Sequence, residues 1–427
     1  MAYNTIEKMN KRKISKLLVT TFICSTIITV ASCSDYEENV NGNIHHPMSS
    51  THRITAEQAK QNALTFVGQF GSTTRTNGHA LSVAEVKAIS ANEGSTRTMN
   101  DSVNLDKLFY VINFDNNMGF VVAASDDRET PVFAYVEEGN YIEKDMQNNG
   151  FDAFMDALIE KESDNRVQQT LIYDEESIVG GGHSDNKPDK FEVMYPLLKT
   201  KWNQSTYNTY CPGPYTGCVV TAIAQICSFL KSPNHVSWSY NGTGNQCYID
   251  WDNIENECST NFGNPYSSVL KDQIANLMRF WGVTFNAEYT SDGTSVDSDD
   301  AISQMRFLGY NATELTDYNA TNVMYDLKEG NRIVYMRGNG RYYHVGFFFR
   351  KYVDGHGWVV DGYIHSIKNN QEALYMHCNW GWGGYRDGYF LSDVLNAEEN
   401  PCFDDNAIAT TRSTNFRYKL KTSTICK

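Results

Sequence analysis

Apolar positions along the chain change their spacing several times, and each change marks an element. Beyond a polar stretch at 34–53, Ala59, Ala63, Val67 and Phe70 recur at helical spacing. Thr55-Ala56-Glu57-Gln58, just before them, reads as a capping box, so a first helix is expected to start near Thr55. Residues 71–104 are rich in Ser, Thr, Gly and Asn and predict loop with one short strand near Leu81–Ile89. Two β-prone runs, Leu108–Phe114 and Gly119–Ala124, flank Asp115-Asn116-Asn117-Met118 and predict a hairpin. A third run, Pro131–Val136, leads into a helix with Phe151, Phe154, Met155, Leu158 and Ile159 on one face. These elements make a small α+β domain. Residues 161–190 are charged and polar around Gly180-Gly181-Gly182, the composition of a linker that a protease can reach.

A second domain opens at Phe191 with the β-prone run Val193–Leu198. In Pro214-Tyr215-Thr216-Gly217-Cys218, the prolines at 212 and 214 stop a helix upstream, while Val219, Ile223, Ile226 and Leu230 continue at helical spacing downstream. Cys218 is therefore expected in the first turn of a buried helix, where the positive end of the macrodipole favours a thiolate. Further helices are expected at Ile274–Trp281, Ile302–Leu308 and Val323–Leu327, each followed by Gly. After Arg332 the pattern turns to short β-prone runs at Ile333–Met336, Tyr343–Phe349, Trp358–Val360, Ala373–His377 and Tyr389–Leu391.

Composition narrows the function classes. The 427 residues predict two or three domains, and 41% hydrophobic residues are ample for packed cores. A net charge of -15 lacks the clustered positive charge of a nucleic-acid binder. Lys11-Arg12-Lys13 followed by the apolar run Leu17–Ala31 has the parts of a signal peptide, and Val30-Ala31-Ser32-Cys33 resembles a bacterial lipobox. Residues 1–32 are accordingly expected to be removed, Cys33 to be lipidated and 33–53 to form a tether. The chain is then expected at the bacterial cell envelope, touching the membrane through the lipid anchor only, with release after processing as an alternative. Among the ten cysteines no pair has the close C-x-x-C spacing of a zinc site, so no metal or cofactor is expected. Cys247 and Cys258 are a candidate disulfide.

A thiol nucleophile needs a base, and His suits that task near neutrality. Of His235, His344, His356, His365 and His377, His356 is best placed, between two glycines at the start of a β-run in Gly355-His356-Gly357-Trp358-Val359-Val360-Asp361-Gly362. His344 is the runner-up. In Asn379-Trp380-Gly381-Trp382-Gly383-Gly384, an Asn can accept the imidazole N–H and a Trp can shield that bond.

Taken in order, Trp202-Asn203-Gln204, Gly217-Cys218, the His356 run and Asn379–Gly384 resemble the motif series of the streptopain-type, papain-like cysteine peptidases. Phe114–Arg128 followed by Pro131–Tyr135 resembles the propeptide of that family and its stand-alone inhibitor relatives. The resemblance spans about residues 105–395. It implies an α+β fold in which a propeptide or inhibitor-like domain at 54–171 and a linker at 172–190 precede a papain-like domain at 191–427, whose helical half carries the Cys and whose β half carries the His. It implies Cys218 as nucleophile, His356 as general base and acid, Gln204 as oxyanion donor, and Asn379 and Trp380 as groups that orient and cover His356. The implied activity is that of a latent cysteine endopeptidase acting on proteins or peptides, with its own N-terminal domain as inhibitor. Two alternatives stay open at this point: a Cys-His hydrolase or acyltransferase acting on cell-wall peptides, and a non-enzymatic surface binder. Residues 364–371 form a polar insertion relative to the shortest family pattern and predict a longer hairpin there.

Overall fold

The computed structural model describes residues 52–70, 81–91, 105–142, 149–172, 188–345, 349–395 and 418–427. The expected signal peptide, Cys33, most of the tether and the triple glycine at 180–182 lie outside them. Helix α1 (Ala56–Gly68) starts as its capping box dictates: the Gln58 N–H donates to the Thr55 hydroxyl at 3.2 Å and the Thr55 N–H to the Gln58 carboxamide at 2.7 Å. Strands β1 (Val83–Ile89), β2 (Phe109–Phe114), β3 (Phe120–Ala124) and β4 (Val132–Val136) form an antiparallel meander. β2, β3 and β4 are buried at every position, which explains their apolar sequences, and the one amide among them, Asn113, is satisfied by the Tyr141 main chain. Helix α2 (Asn149–Ile172) runs well past residue 161, where the sequence suggests a linker. No Gly or Pro interrupts 151–172, and its Glu, Lys, Arg and Gln are good helix formers, while Glu162, Ser163 and Arg166 are buried, so polarity there belongs to a packed helix.

The second half begins with β5 (Lys190–Met194) and α3 (Cys218–Leu230). A hairpin of β6 (His235–Tyr240) and β7 (Thr243–Tyr248) follows, then α4 (Trp251–Thr260), α5 (Ser268–Thr284), the short pair β8 (Glu288–Tyr289) and β9 (Thr294–Ser295), and α6 (Ser298–Phe307). β10 (Asn311–Ala312), β11 (Thr316–Asp317) and α7 (Ala320–Lys328) lead to β12 (Ile333–Val345), β13 (Phe349–Lys368), β14 (Gln371–Asn379), β15 (Gly388–Leu391), α8 (Ser392–Leu395) and β16 (Tyr418–Cys426). The β6–β7 hairpin, α4 and β16 are absent from the sequence reading, although Asn241-Gly242 at the hairpin tip, both with positive φ, is a strong two-residue turn signal. The expected run Tyr343–Phe349 is divided between β12 and β13. The polar stretch 364–371 is strand closed by a tight Asn369-Asn370 turn, so the hairpin is indeed long.

Twelve of the described strands join one antiparallel sheet in the order β1-β2-β3-β4-β15-β14-β13-β12-β16-β10, with β5 beside β13 and β11 beside β16, and β4 pairs Ala134–Val136 against Gly388–Phe390 of β15. Alternation along β12 and β13 then serves two cores. Val334, Met336, Trp358 and Val360 face a core shared with α1, α2 and the N-terminal strands. Ile333, Tyr335 and Val359 face a second core built on α3, α5 and α6.

Asp126 anchors α2 to the meander. Its carboxylate meets Arg166 at 2.6 Å and Arg128 at 2.8 Å, while Arg166 also donates to Ser125 Oγ at 2.9 Å. Burial alone would raise the Asp126 pKa, but the arginine hydrogen bonds outweigh it and hold it at about 2. A folded value below the unfolded one means this contribution is complete above about pH 4 and is lost as pH falls towards about 2. Asp126→Asn should lower the opening free energy of α2 and β3 at neutral pH by about 3–5 kcal/mol, because it removes the negative charge facing the buried Arg166 guanidinium. Amide hydrogen exchange reads this directly. Unchanged protection would show that the pair is not an anchor.

Candidate active site

Gly217, at φ 98°, turns the chain into α3 in a conformation that L side chains avoid, and Cys218 is the first helical residue. Just ahead of it, the Thr216 hydroxyl bonds that of Thr221 at 2.8 Å. The thiol is half-buried. Burial pushes its pKa up, against the N–H groups of Gly357, Val219 and Cys218 itself, which pull it down. The helix start thus does not give the depressed thiol that the sequence suggests, because desolvation outweighs those donors.

His356 lies on β13 with its ring 5% exposed, stacked on Trp358 (centroids 5.9 Å, 18°) and on Trp382 (6.5 Å, 16°). Its Nε2 is 3.0 Å from the Trp380 carbonyl oxygen. A carbonyl only accepts, so Nε2 carries the proton and the basic lone pair of the neutral ring is on Nδ1. Burial depresses the pKa to about 4, with the Trp380 bond opposing. Among the described residues, His356 and Cys218 share no hydrogen bond, and neither perturbs the ionisation of the other. His344 sits opposite Arg350 in the β12–β13 ladder. Its side chain lies outside the described ones. His377 donates from Nδ1 to Asp361 at 2.6 Å, and although burial disfavours its charge, Asp361 and Glu137 raise its pKa to about 10. It is the wrong group for a base near neutrality.

The remaining residues converge on the start of α3. Gln204 is 7% exposed, its backbone carbonyl accepts the Thr216 N–H at 2.8 Å, and among the described residues its carboxamide has no hydrogen-bond partner. Asn203 bridges to Trp382, and the Gly383 N–H donates to the Trp202 carbonyl at 3.2 Å. Trp380 holds His356 through its main chain, donates its own N–H to Asp387 Oδ1 at 3.0 Å, and donates its indole N–H to the Arg386 carbonyl at 3.1 Å. Asn379 departs from its expected place. Its Nδ2 donates to the Thr200 carbonyl at 3.1 Å and its Oδ1 accepts from Gln225 Nε2 at 3.0 Å, both away from the imidazole. Gln225 and Asp387 escape the sequence reading. Gln225 could have been found as the one amide in the apolar run of α3, since a buried polar group is the informative exception, whereas Arg386-Asp387-Gly388 reads as an ordinary turn. The seven described cysteines are free thiols, so the Cys247–Cys258 pairing is not formed.

A half-buried cysteine at a helix start, beside a buried histidine strand and a tryptophan-glycine loop, defines a thiol-enzyme scaffold. The chain is a cysteine-type peptidase. Residues 199–390 match the model of the Peptidase C10 family, and residues 51–161 that of the Spi protease inhibitor, so a segment similar to C10 peptidases follows an inhibitor-like N-terminal one. Streptopain of Streptococcus pyogenes is 24% identical over 376 residues, covering 80% of this chain and 85% of streptopain. The thiol protease/hemagglutinin PrtT of Porphyromonas gingivalis is 22% identical over 389 residues, covering 82% of this chain and 40% of that protein. A fragment of prointerpain A from Prevotella intermedia, solved as a cysteine-to-alanine mutant, aligns with a TM-score of 0.47 at 23% identity, covering 74% of this chain and 94% of the fragment.

The raised thiol and the separate histidine set a pH test. In the uncut chain, alkylation of Cys218 by iodoacetamide, followed site by site with mass spectrometry, should climb through the alkaline range without a plateau near neutrality. His356→Ala should leave that profile unchanged. A neutral plateau that His356→Ala abolishes would mean the two groups are already paired.

Proposed function

We propose that the chain is an exported, latent cysteine endopeptidase whose Cys218 thiolate attacks the scissile carbonyl carbon. The sulfur–carbon bond forms as the carbonyl π bond breaks, and the resulting oxyanion is met by the Cys218 N–H and the Gln204 carboxamide. His356, once beside the thiol, takes its proton and delivers it to the leaving amine, and water then releases the acyl-enzyme with His356 as base. The observation that carries this reading is the joining of segments 202–204 and 379–383 to the start of α3, with a Gln204 carboxamide that no group among the described residues engages. Protein substrates accord with the peptidase class. Export is supported by the basic and apolar N-terminus ending at Cys33, the proposed lipid anchor. No helix among the described residues is long and apolar enough to cross a membrane.

Latency is supported by how the N-terminal domain meets the loop that holds His356. Gly150 of α2 lies so close to the Trp380 ring that a Cβ there would overlap it. Arg386, 3% exposed, places its guanidinium 5.0 Å from the Phe120 ring centre and 5.3 Å from that of Phe151, and donates to the Asn140 carbonyl at 2.8 Å. Lys201 pairs with Glu138 at 3.0 Å, and His377 with Glu137 at 3.6 Å. These contacts hold the loop whose Trp380 carbonyl takes the His356 Nε2–H, and in this reading they restrain the imidazole. Cleavage between 172 and 190, and departure of the N-terminal domain, would free them.

The direct test is casein hydrolysis under reducing conditions by protein lacking residues 1–33, after processing. Cys218→Ala should abolish it while Cys227→Ala, deep in the same helix, retains it; His356→Ala should match the Cys218 loss and His344→Ala should not. An active Cys218→Ala enzyme ends the assignment. For latency, Gly150→Ala in the uncut chain should raise hydrolysis of a fluorogenic peptide several-fold by pushing α2 off Trp380. If uncut Gly150→Ala and uncut native protein are equally active, the N-terminal domain is not what restrains the site.

A further inference from the structure

Gln225 lies on α3 seven residues after Cys218, two helical turns along the same face, and is 0% exposed. A buried primary amide is costly unless its donors and acceptor are used. Here Oε1 accepts the Trp202 main-chain N–H at 2.9 Å and Nε2 donates to Asn379 Oδ1 at 3.0 Å, with Asn379 Nδ2 returning towards Oε1 at 3.4 Å. Asn379 completes the frame through the Thr200 carbonyl at 3.1 Å and the Gly381 N–H at 3.2 Å. One side chain of the Cys218 helix therefore fixes two segments: the extended one that carries Gln204 two residues beyond Trp202, and the loop that begins at Asn379.

We infer that Gln225 is a positioning residue for Gln204, setting the carboxamide against the thiol through the Trp202 peptide, and that Asn379 serves this amide frame in place of the imidazole. The inference rests on the reading of Gln204 as oxyanion donor. Trp202 is 0% exposed and its N–H has no water to turn to, so losing the Gln225 acceptor must either strand that donor or shift the 202–204 backbone. A misplacement of about 1 Å in such a donor can cost ~10²-fold in rate, and it acts on the transition state more than on substrate binding.

The experiment is a double-mutant cycle on processed enzyme with a fluorogenic peptide, recording kcat and KM separately. Gln225→Met, close to isosteric and without hydrogen-bonding capacity for the amide frame, should lower kcat by roughly 10- to 100-fold with KM within about threefold, while the rate of Cys218 alkylation by iodoacetamide stays native. In a Gln204→Ala background the same substitution should cost less than about threefold, since the group it positions is gone. Gln225→Glu keeps the acceptor for Trp202 and should recover most of kcat. It also serves if the Met variant does not fold, its smaller kcat loss again vanishing without Gln204. An equal loss from Gln225→Met in both backgrounds, or a loss that follows only the fraction of folded protein, overturns the inference. A fully active Gln204→Ala single variant removes instead the oxyanion reading beneath it, so the two failures are distinguishable.

Discussion

Every polar atom of Trp380 is committed, and the arrangement of the site follows from those commitments. The peptide N–H goes to Asp387 Oδ1, the carbonyl receives the His356 Nε2–H, and the indole N–H goes to the Arg386 carbonyl. The ring is 1% exposed and packs against Trp358 and Phe390 at 5.2 Å each. A residue so held transmits any displacement of its loop to the histidine. The constraint extends one step further out, because Asp387 is buried and its pKa is raised to about 7, chiefly by desolvation. The loop therefore hangs on a carboxyl whose own charge is only weakly supported by its surroundings.

The N-terminal domain is continuous with this arrangement in two physical senses. Its meander extends the sheet of the peptidase half through the β4–β15 ladder, and its helices share a hydrophobic core with β12–β15. The core around α3 is separate and, among the described residues, holds none from the N-terminal domain. The N-terminal domain thus packs on the histidine side of the sheet and leaves the cysteine side to be built from the peptidase half alone. A restraint acting through the histidine loop follows from that division more readily than one acting on the thiol.

Much of the architecture is legible in the sequence because periodicity and local chemistry agree there. The capping box at Thr55, the strands β2 to β4, and the proline-bounded start of α3 fall where spacing and turn residues place them. The misses have physical causes. α2 outruns the apparent linker because composition alone does not tell a helix that buries polar groups, here Glu162, Ser163 and Arg166, from a linker. β7 is exposed at most of its positions and so carries no apolar alternation to read. At the site, motif order identified the segments, but side-chain direction was not accessible. Asn379 and Gln225 satisfy one another across 154 positions of sequence, a pairing that only the folded chain brings about. Likewise, the sign of the Cys218 shift depends on how much water the fold excludes, which a helix-start argument does not contain.

Under the proposed latency, that exclusion of water sets what activation would have to accomplish. Burial raises the Cys218 thiol and depresses His356 to about 4, so each group is driven towards its neutral form and proton transfer between them is uphill as they stand. Opposite charges about 4 Å apart attract by roughly 4 kcal/mol at an effective dielectric of ~20. At about 1.4 kcal/mol per pKa unit, that is close to three units, shared between the two groups. Bringing the imidazole against the sulfur would therefore offset part of the burial cost carried by the two groups. In the proposed zymogen, the Trp380 carbonyl would also have to let the ring turn, or move with it, and both would depend on the grip that α2 and the Arg386 cage keep on the loop.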